Sequence, residues 1–110
     1  MSQSRPALDR TLAALADPDR RRAVDLLRNG PRRAGDLAQA IGLPAPAMSR
    51  HLRVLRQSGL VEETHPECDA RVRIYSLRPA PMAELRNWLD ETEALWSEQL
   101  ALFKKHLEER

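Results

Sequence analysis

The final quarter of the sequence constrains the fold most, because no proline or glycine interrupts it between Pro81 and about Glu108. Apolar residues recur there at spacings of three and four, and they include both tryptophans and the only phenylalanine of the chain. A helix of about 28 residues is roughly 42 Å long, whereas a compact domain of this size has a radius of gyration of about 13 Å. The helix is therefore predicted to extend beyond its own core.

The apolar face of this predicted helix indicates contact with a second copy of the chain. Its large side chains fall in rows with a period of seven. Exposed together, they would form a larger apolar patch than monomeric proteins usually tolerate. The residues of this helix that we predict to form a dimer interface are Leu85, Trp88, Leu89, Leu95, Trp96, Leu102 and Phe103.

Two shorter helices are predicted at the start of the chain. The first has an apolar stripe made of Leu8, Leu12 and Leu15. Asp17 then precedes a proline, which pairs a capping side chain with a residue suited to the first helical turn. The second helix is predicted to end at Gly30, because a proline follows directly. Its predicted buried residues are Ala23, Val24, Leu26 and Leu27.

A helix-turn-helix is predicted over residues 34–58. The segment from Ala34 to Ala40 forms a helix too short to be stable alone, Gly42 allows a tight turn, and a longer helix follows over about 44–58. One face of the longer helix carries Met48, Leu52 and Leu55. The opposite face carries Ser49, Arg50, Arg53 and Arg56. This arrangement is typical of a motif that places its second helix in the major groove of DNA.

After residue 59 the pattern changes to that of strands. Residues 60–64 and 71–77 are rich in side chains that favour strands, and a polar turn separates them. In the second strand Val72 and Ile74 are predicted to point inward, and Arg71, Arg73 and Tyr75 outward. A hairpin directly after a helix-turn-helix is predicted to be its wing, over residues 60–77. The fold is thus expected to be mainly α with a small β-hairpin, in the order α-α-α-α-β-β-α.

Composition and motifs exclude several classes of protein. The chain has no run of about 18 apolar residues, so no membrane-spanning helix is expected. The segment Met1–Pro6 lacks the apolar stretch of a secretory signal, and Cys68, the only cysteine, cannot form an internal disulfide. No glycine-rich phosphate loop or hydrolase motif occurs, so an enzyme is not expected. We expect a cytoplasmic protein without a cofactor.

Charge is distributed unevenly along the chain. Residues 1–79 carry 14 arginines against nine acidic residues, whereas residues 80–110 carry four basic and seven acidic ones. Arginine outnumbers lysine 16 to 2, and guanidinium matches phosphate and guanine edges better than ammonium does. A gene rich in G and C would give the same arginine excess. Together with the predicted winged helix-turn-helix, the charge favours double-stranded DNA as the partner.

Most of the predicted DNA contacts lie on the longer helix of the motif and on the wing. Arg50 and Arg53 are predicted to reach guanine in the major groove, and Ser49 a base edge or a phosphate. His51 is predicted either to form a hydrogen bond, across the motif or to a phosphate, or to pack beside Leu52 and Leu55. The remaining predicted contacts are those of Ala45 and Ala47 with thymine methyl groups, of Arg32 and Arg33 with phosphates, and of Arg71 and Arg73 with the minor groove or its backbone.

Four stretches of the sequence resemble the ArsR/SmtB-type winged-helix repressors of bacteria. They have the sequences ALADPDRRR at 14–22, GDLA at 35–38, MSRHLRVL at 48–55 and SGLV at 58–61. The resemblance spans residues 8–77, and the long last helix is similar to the dimerisation helix of that family. It implies a homodimer built from the first and last helices, which adds Leu8 and Leu12 to the interface. It also implies repression of transcription at an inverted-repeat operator.

The chain departs from the metal-sensing members of that family. Those members carry a Cys-x-Cys pair on the first helix of the helix-turn-helix, where this chain has no thiol. A second metal site of the family uses Asp-x-His on the last helix, but here Asp90 is followed by Thr92, and His106 and Glu109 lie too far along the helix to complete it. The resemblance therefore implies the metal-independent branch and no metal site.

Two other functions remain open from the sequence. One is a dimeric protein-interaction module whose basic face is incidental. The other is a sensor of a small molecule or of redox state on the same frame, with a pocket between the terminal helices, although no residue pattern names an effector or assigns Cys68 a role. In each case we expect one compact domain, with residues 1–80 as the winged helix-turn-helix and 81–110 as the dimerisation helix.

Overall fold

The computed structural model describes residues 5–109 and contains five helices and three short strands in this part of the chain. Residues 1–4, which are part of the segment predicted not to be a secretory signal, and residue 110, the end of the predicted dimerisation segment, lie outside the described residues. The elements are α1 (Pro6–Leu15), α2 (Pro18–Leu27), β1 (Arg32–Arg33), α3 (Ala34–Ile41), α4 (Ala45–Gln57), β2 (Val61–Thr64), β3 (Ile74–Leu77) and α5 (Pro79–Glu108).

The starts and ends of the first four helices follow local signals in the sequence. The Asp17 carboxylate accepts hydrogen bonds from the backbone N–H groups of Asp19 and Arg20 at 2.8 and 3.2 Å and so caps α2, as predicted. Gly42 ends α3 with a φ of 83°, a left-handed conformation that glycine adopts at little cost. The tight turn at this glycine brings α3 against α4, so the two helices form the predicted helix-turn-helix.

The core lies between α2, α3, α4 and the sheet. The predicted apolar face of α4 is confirmed, because Met48, Leu52 and Leu55 are all buried. In α3 the predicted residues Leu37, Ala38 and Ile41 are also buried, and in α2 only Leu26 of the four predicted residues is partly exposed. In α1 the predicted stripe was wrong in part, since Thr11 and Ala14 are buried with Leu8, whereas Leu12 is 38% exposed.

The β-structure is a three-stranded antiparallel sheet in the order β1-β3-β2, rather than the predicted two-stranded hairpin. The additional strand β1 pairs Arg32 with Tyr75 and Arg33 with Ile74. The second strand of the hairpin begins at Ile74, three residues later than predicted. Asp69 explains this, because its carboxylate accepts a hydrogen bond from the backbone N–H of Arg71 at 3.0 Å and holds that residue in the loop.

Helix α5 extends well beyond the rest of the molecule, as predicted. It has 30 residues, begins at Pro79, two residues before the predicted start, and packs against α1. The radius of gyration is 19.0 Å, with extents of 70 × 27 × 23 Å, whereas about 13 Å is expected for a compact domain. Among the described residues, no helix is both long and apolar enough to cross a membrane.

Candidate nucleic-acid interface

A polar cleft of about 460 Å³ lies between α4 and the β2–β3 hairpin. Helix α4 presents to it the residues on the face opposite the core, and the hairpin closes the other side. The residues that line this cleft are Pro46, Ser49, Arg50, Arg53, Arg56, Glu63, Arg73 and Tyr75. The structure thus brings Ser49, Arg50, Arg53 and Arg73, which the sequence predicted as DNA contacts, to one surface.

One carboxylate, that of Glu63, stands among the four arginines of the cleft. The Tyr75 hydroxyl donates to its Oε2 at 2.6 Å, and the Arg56 guanidinium donates to the same oxygen at 2.9 Å. The hydrogen bond from Tyr75 and the positive charge of Arg56 hold the pKa of Glu63 below its usual value, although partial burial opposes this. Glu63 is therefore ionised at neutral pH and already bound, and the cleft keeps a positive surplus for an anion.

The wing contacts the helix of the cleft through Arg73. Its guanidinium donates to the Ser49 hydroxyl at 3.2 Å, across the opening between the hairpin and α4. Arg50 and Arg53 are exposed, and within residues 5–109 neither guanidinium has an ion pair or a hydrogen bond to a protein acceptor. Guanidinium groups with unused donors on a concave surface suit phosphate oxygens and guanine edges.

Tyr75 was predicted to point outward, and this prediction was wrong. The side chain is 2% exposed, with its ring in the core cluster and its hydroxyl at the edge of the cleft. Burial and the hydrogen bond to Glu63 together raise the pKa of Tyr75 to about 12. Tyrosine suits this position because its ring is apolar and its hydroxyl needs a polar partner. Alternation along a short strand shows which residues share a face, but it does not show which face is buried.

The other predicted contact residues lie outside the lining of the cleft. Ala45 is exposed and Ala47 half-buried in the first turn of α4. Arg71 lies in the loop of the hairpin, and its guanidinium pairs with Asp69 at 3.3 Å. Arg32 and Arg33 form β1 at the edge of the sheet away from β2, and the Arg32 Nε donates to the carbonyl of Leu26 at 3.2 Å.

His51 lies at the junction of α4 with the start of α2. Its Nδ1 is 3.4 Å from Nη1 of Arg20, and its Nε2 is 4.0 Å from the carboxylate of Asp19. Asp17, Asp19 and His51 each offer one metal-ligating atom within 4.8 Å of the others. The guanidinium of Arg20 faces the same ring, however, and a metal-bound neutral histidine would carry its remaining proton on Nδ1, toward that guanidinium. These residues therefore do not fit a metal ion.

The apolar face predicted as a dimer interface is exposed along α5 from Leu89 onward. The exposed residues among those predicted are Leu89, Leu95, Trp96, Leu102 and Phe103, at 50–61%, and Leu100 and Leu107 continue the surface. Leu85 and Trp88 are half-buried in the inner half of the helix. Leu8 is 6% exposed, so within the single chain it offers little surface to a partner. Leu12, at 38%, is accessible to a partner.

A second cleft, of about 360 Å³, lies between the start of α1 and α5. Its lining combines Leu8 and Pro6 with the carboxylates of Glu84 and Glu91. The exposed ion pair between Arg5 and Glu91, at 3.4 Å, crosses this region. An effector pocket between the terminal helices stays a prediction. Cys68 is exposed in the hairpin loop and is distant in sequence from the residues that line this second cleft.

Sequence reasoning missed three residues that shape the interface, namely Arg20, Glu63 and Tyr75. Glu63 and Tyr75 face each other in the register of β2 and β3, so a correct strand pairing would have suggested their contact. Arg20 lies in the DPDRRR stretch that supported the family resemblance. No local pattern indicates that its partner is a histidine 31 residues later.

Comparison with known proteins places this geometry among transcription regulators. The family model described as "Bacterial regulatory protein, arsR family" matches residues 17–63. The chain is 41% identical over 85 residues to the HTH-type transcriptional regulator Rv2034 of Mycobacterium tuberculosis, which covers 74% of each chain. It is 29% identical over 82 residues to the transcriptional repressor SdpR of Bacillus subtilis, covering 74% of this chain and 88% of the relative.

A solved structure agrees with the sequence comparison. The fold matches the crystal structure of the ArsR family transcriptional regulator RHA00566 with a TM-score of 0.76 and 30% identity. The match covers 88% of this chain and 97% of that one.

Proposed function

The chain belongs to the arsR family of bacterial regulatory proteins and is a DNA-binding transcriptional regulator; from this premise we propose that it is a homodimeric repressor of an inverted-repeat operator. The observation that carries the proposal is the cleft between α4 and the hairpin. Among residues 5–109, four arginines line the cleft, and a single carboxylate, already bound, opposes them. A positively charged concave surface beside an exposed helix fits a phosphate backbone next to a groove.

Residues of α4 divide between base reading and backbone contact in this proposal. Arg50 is exposed and unpaired within the described residues, so it is available to bridge the O6 and N7 acceptors of guanine. Arg53 and Arg73 line the cleft, where a phosphate would take the place that the Ser49 hydroxyl now holds opposite Arg73. Ala45, Ala47 and the loop arginine Arg71 are proposed contacts at the margins, with Arg32 and Arg33 at the far edge of the sheet.

The homodimer is proposed because the apolar face of α5 from Leu89 onward is left exposed by residues 5–109. Five large apolar side chains that the sequence predicted, from Leu89 to Phe103, are at least half exposed. Removing such side chains from water favours association. A second copy related by a twofold axis would present the same face. Such a dimer would hold two α4 helices for two half-sites of an operator.

We assign the chain to the members of the family that need no metal, and to the cytoplasm, where bacterial DNA lies. The metal-independent assignment is supported by the side chains that could act as metal ligands. Helix α3 has no thiol, because Cys68 is the only cysteine of the chain. The histidine and aspartates at the start of α2 and in α4 face a guanidinium instead of leaving a pocket for a cation.

Selection of bound duplexes from a random pool tests the proposed function. We expect a consensus with two inverted half-sites whose centres lie about one helical turn apart. If the dimer neutralises about eight phosphates, the logarithm of the affinity should fall against the logarithm of the salt concentration with a slope near −7. Reporter repression from a promoter that carries the consensus should require this chain. Enrichment of no consensus, or activation of the reporter, would overturn the proposal.

A further inference from the structure

Three helices meet at the side chain of Arg20, in the first turn of α2. Its Nε donates to the carbonyl of Ala14 at 2.6 Å, and its Nη2 to the carbonyl of Ala13 at 3.3 Å. Both carbonyls lie in the last turn of α1, at the negative end of the helix dipole. The Ala13 carbonyl also accepts a weak bond from the backbone N–H of Ala16 at 3.3 Å. The third nitrogen, Nη1, lies 3.4 Å from Nδ1 of His51 on α4.

We propose that Arg20 and His51 are positioning residues that fix the angle between α4 and α1, and thereby the distance between the two DNA-reading helices of the dimer. This inference rests on the proposed function. Helix α1 packs against α5, which carries the proposed dimer interface, whereas α4 carries the proposed base readers. Arg20 is bonded to α1 and α4 at once, so it ties the dimer-forming part of the chain to the DNA-reading part.

The chemistry of the contact defines which groups are needed. A guanidinium can only donate hydrogen bonds, so Nδ1 of His51 must act as the acceptor. The proton of the neutral ring is then on Nε2, which faces the Asp19 carboxylate at 4.0 Å. The ring is mostly buried, with 19% of the side chain exposed. Its orientation is therefore set from both sides by residues of the first turn of α2.

The start of α2 is itself held firmly. Asp17 caps the helix by accepting from the N–H groups of Asp19 and Arg20. Burial opposes the charge of Asp17, but these two hydrogen bonds and the nearby positive charge of Arg20 lower its pKa below the ordinary value. The cap places both residues that touch His51 in one rigid turn. A change in that turn should therefore rotate α4 relative to α2.

Rotation of α4 has a larger effect on two half-sites than on one. One protomer can adjust its position to fit a single half-site. Two half-sites at a fixed spacing require both α4 helices to be correctly placed at the same time. Loss of the Arg20–His51 contact should therefore lower the preference for the correct spacing more than it lowers the affinity for a single half-site.

The neighbouring residue Arg21 supplies a matched control. Its Nη1 donates to the carbonyls of Leu15 and Ala16 at 2.7 and 3.1 Å, so it also binds the end of α1. It makes no contact with His51. Arg21→Gln therefore removes an equivalent bond to α1 and leaves the link to α4 intact.

The experiment measures affinity for duplexes in which the two selected half-sites are moved apart or together by one or two base pairs. In the parent chain we expect the correct spacing to be favoured by at least about tenfold. Arg20→Gln and His51→Ala should reduce that ratio to about twofold. His51→Asn should keep it within about twofold of the parent, because its side-chain oxygen replaces Nδ1 as the acceptor.

The outcomes separate this inference from the proposed function. An unchanged spacing ratio in Arg20→Gln and His51→Ala, or an equal loss in Arg21→Gln, would overturn the positioning role and leave the repressor intact. A parent chain without any preferred spacing would overturn the proposed function itself. If Arg20→Gln fails to fold by circular dichroism, the pair His51→Ala and His51→Asn decides, since both differ from the parent only at the ring.

Discussion

The hydroxyl of Tyr75 donates a hydrogen bond of 2.6 Å to Glu63 Oε2, and the same oxygen accepts from Arg56 of α4. Tyr75 and Glu63 face each other across β3 and β2. One carboxylate therefore joins both strands of the hairpin to the helix on the other side of the cleft. Glu63 is the only acidic residue among the described residues that line the cleft. Its negative charge is offset by the Arg56 guanidinium, so it repels a phosphate less than an unpaired carboxylate would.

The stability of the chain should fall at high pH because of Tyr75. Its pKa in the folded chain is about 12, above the ordinary value of 10.0. The folded state therefore holds the phenolic proton more tightly than the unfolded state does, and the contribution to stability is complete below pH 10 and is lost as the pH rises toward 12. Denaturant unfolding over this range should show a decreasing free energy of unfolding.

Tyr75→Phe is the control for that measurement. The variant keeps the ring and removes the proton, so its free energy of unfolding should change less between pH 10 and 12. Tyr75 is the only tyrosine of the chain, so its ionisation can also be followed directly by ultraviolet difference absorbance. Ionisation near pH 10 in the folded chain would contradict the contact with Glu63.

Substitutions of Arg50 and Arg73 should affect DNA binding in different ways. Arg50→Ala is expected to lower the affinity for the selected duplex by about 1–3 kcal/mol and to leave the affinity for random duplex nearly unchanged, since it removes a base contact. Arg73→Ala should weaken both duplexes alike and reduce the salt slope by about one, since it removes a phosphate contact. Gel-shift titrations over a salt series measure both effects.

Arg86→Ala is the matched control for these two variants, because Arg86 is exposed on α5 and lies outside the cleft. It should leave both affinities within about twofold of the parent. Equal behaviour of Arg50→Ala and Arg73→Ala would show that the assignment of base and backbone contacts is wrong.

A charge on the exposed apolar face of α5 should separate the dimer. Leu95→Asp places a carboxylate in the proposed interface, where desolvation costs about 3 kcal/mol or more and lowers the dimerisation constant at least about a hundredfold. Sedimentation velocity should show a monomer, and gel shifts should show weak binding to the two-half-site duplex. Leu95 is 55% exposed in the single chain, so the fold should persist.

Ala94→Asp provides the control, because Ala94 is exposed on the opposite side of α5 and receives the same charge. It should remain dimeric at the concentrations at which Leu95→Asp is monomeric. A dimeric Leu95→Asp that binds the operator normally would refute this face as the interface.

The helix cap at Asp17 should make the chain sensitive to acid. The pKa of this carboxyl is lowered below 3.8 in the folded chain, so its contribution to stability is present above that value and is lost as the pH falls through the folded pKa. Thermal melts at neutral pH should show a larger decrease for Asp17→Ala than for Asp17→Asn, because asparagine still caps the helix. Equal melting temperatures in the two variants would contradict the capping role.

Local signals in the sequence determined most of the helical frame. Asp17 with its following proline, Gly42 in the turn, and the row Met48, Leu52 and Leu55 act within one or two helical turns, so their consequences can be deduced from spacing alone. The length of α5 and its apolar face follow from the same short-range periodicity. The position of the exposed arginines of α4 was predicted for the same reason.

The tertiary structure decided the contacts between distant residues. Strand β1 has only two residues and exists because Arg32 and Arg33 lie beside β3. Tyr75 turned inward because the core had room for its ring and Glu63 was opposite its hydroxyl. Arg20 contacts His51, which lies 31 residues later in the sequence. Periodicity describes which face a residue takes along one element, but the partner of a polar group depends on how separate elements pack, and that is settled only when the chain folds.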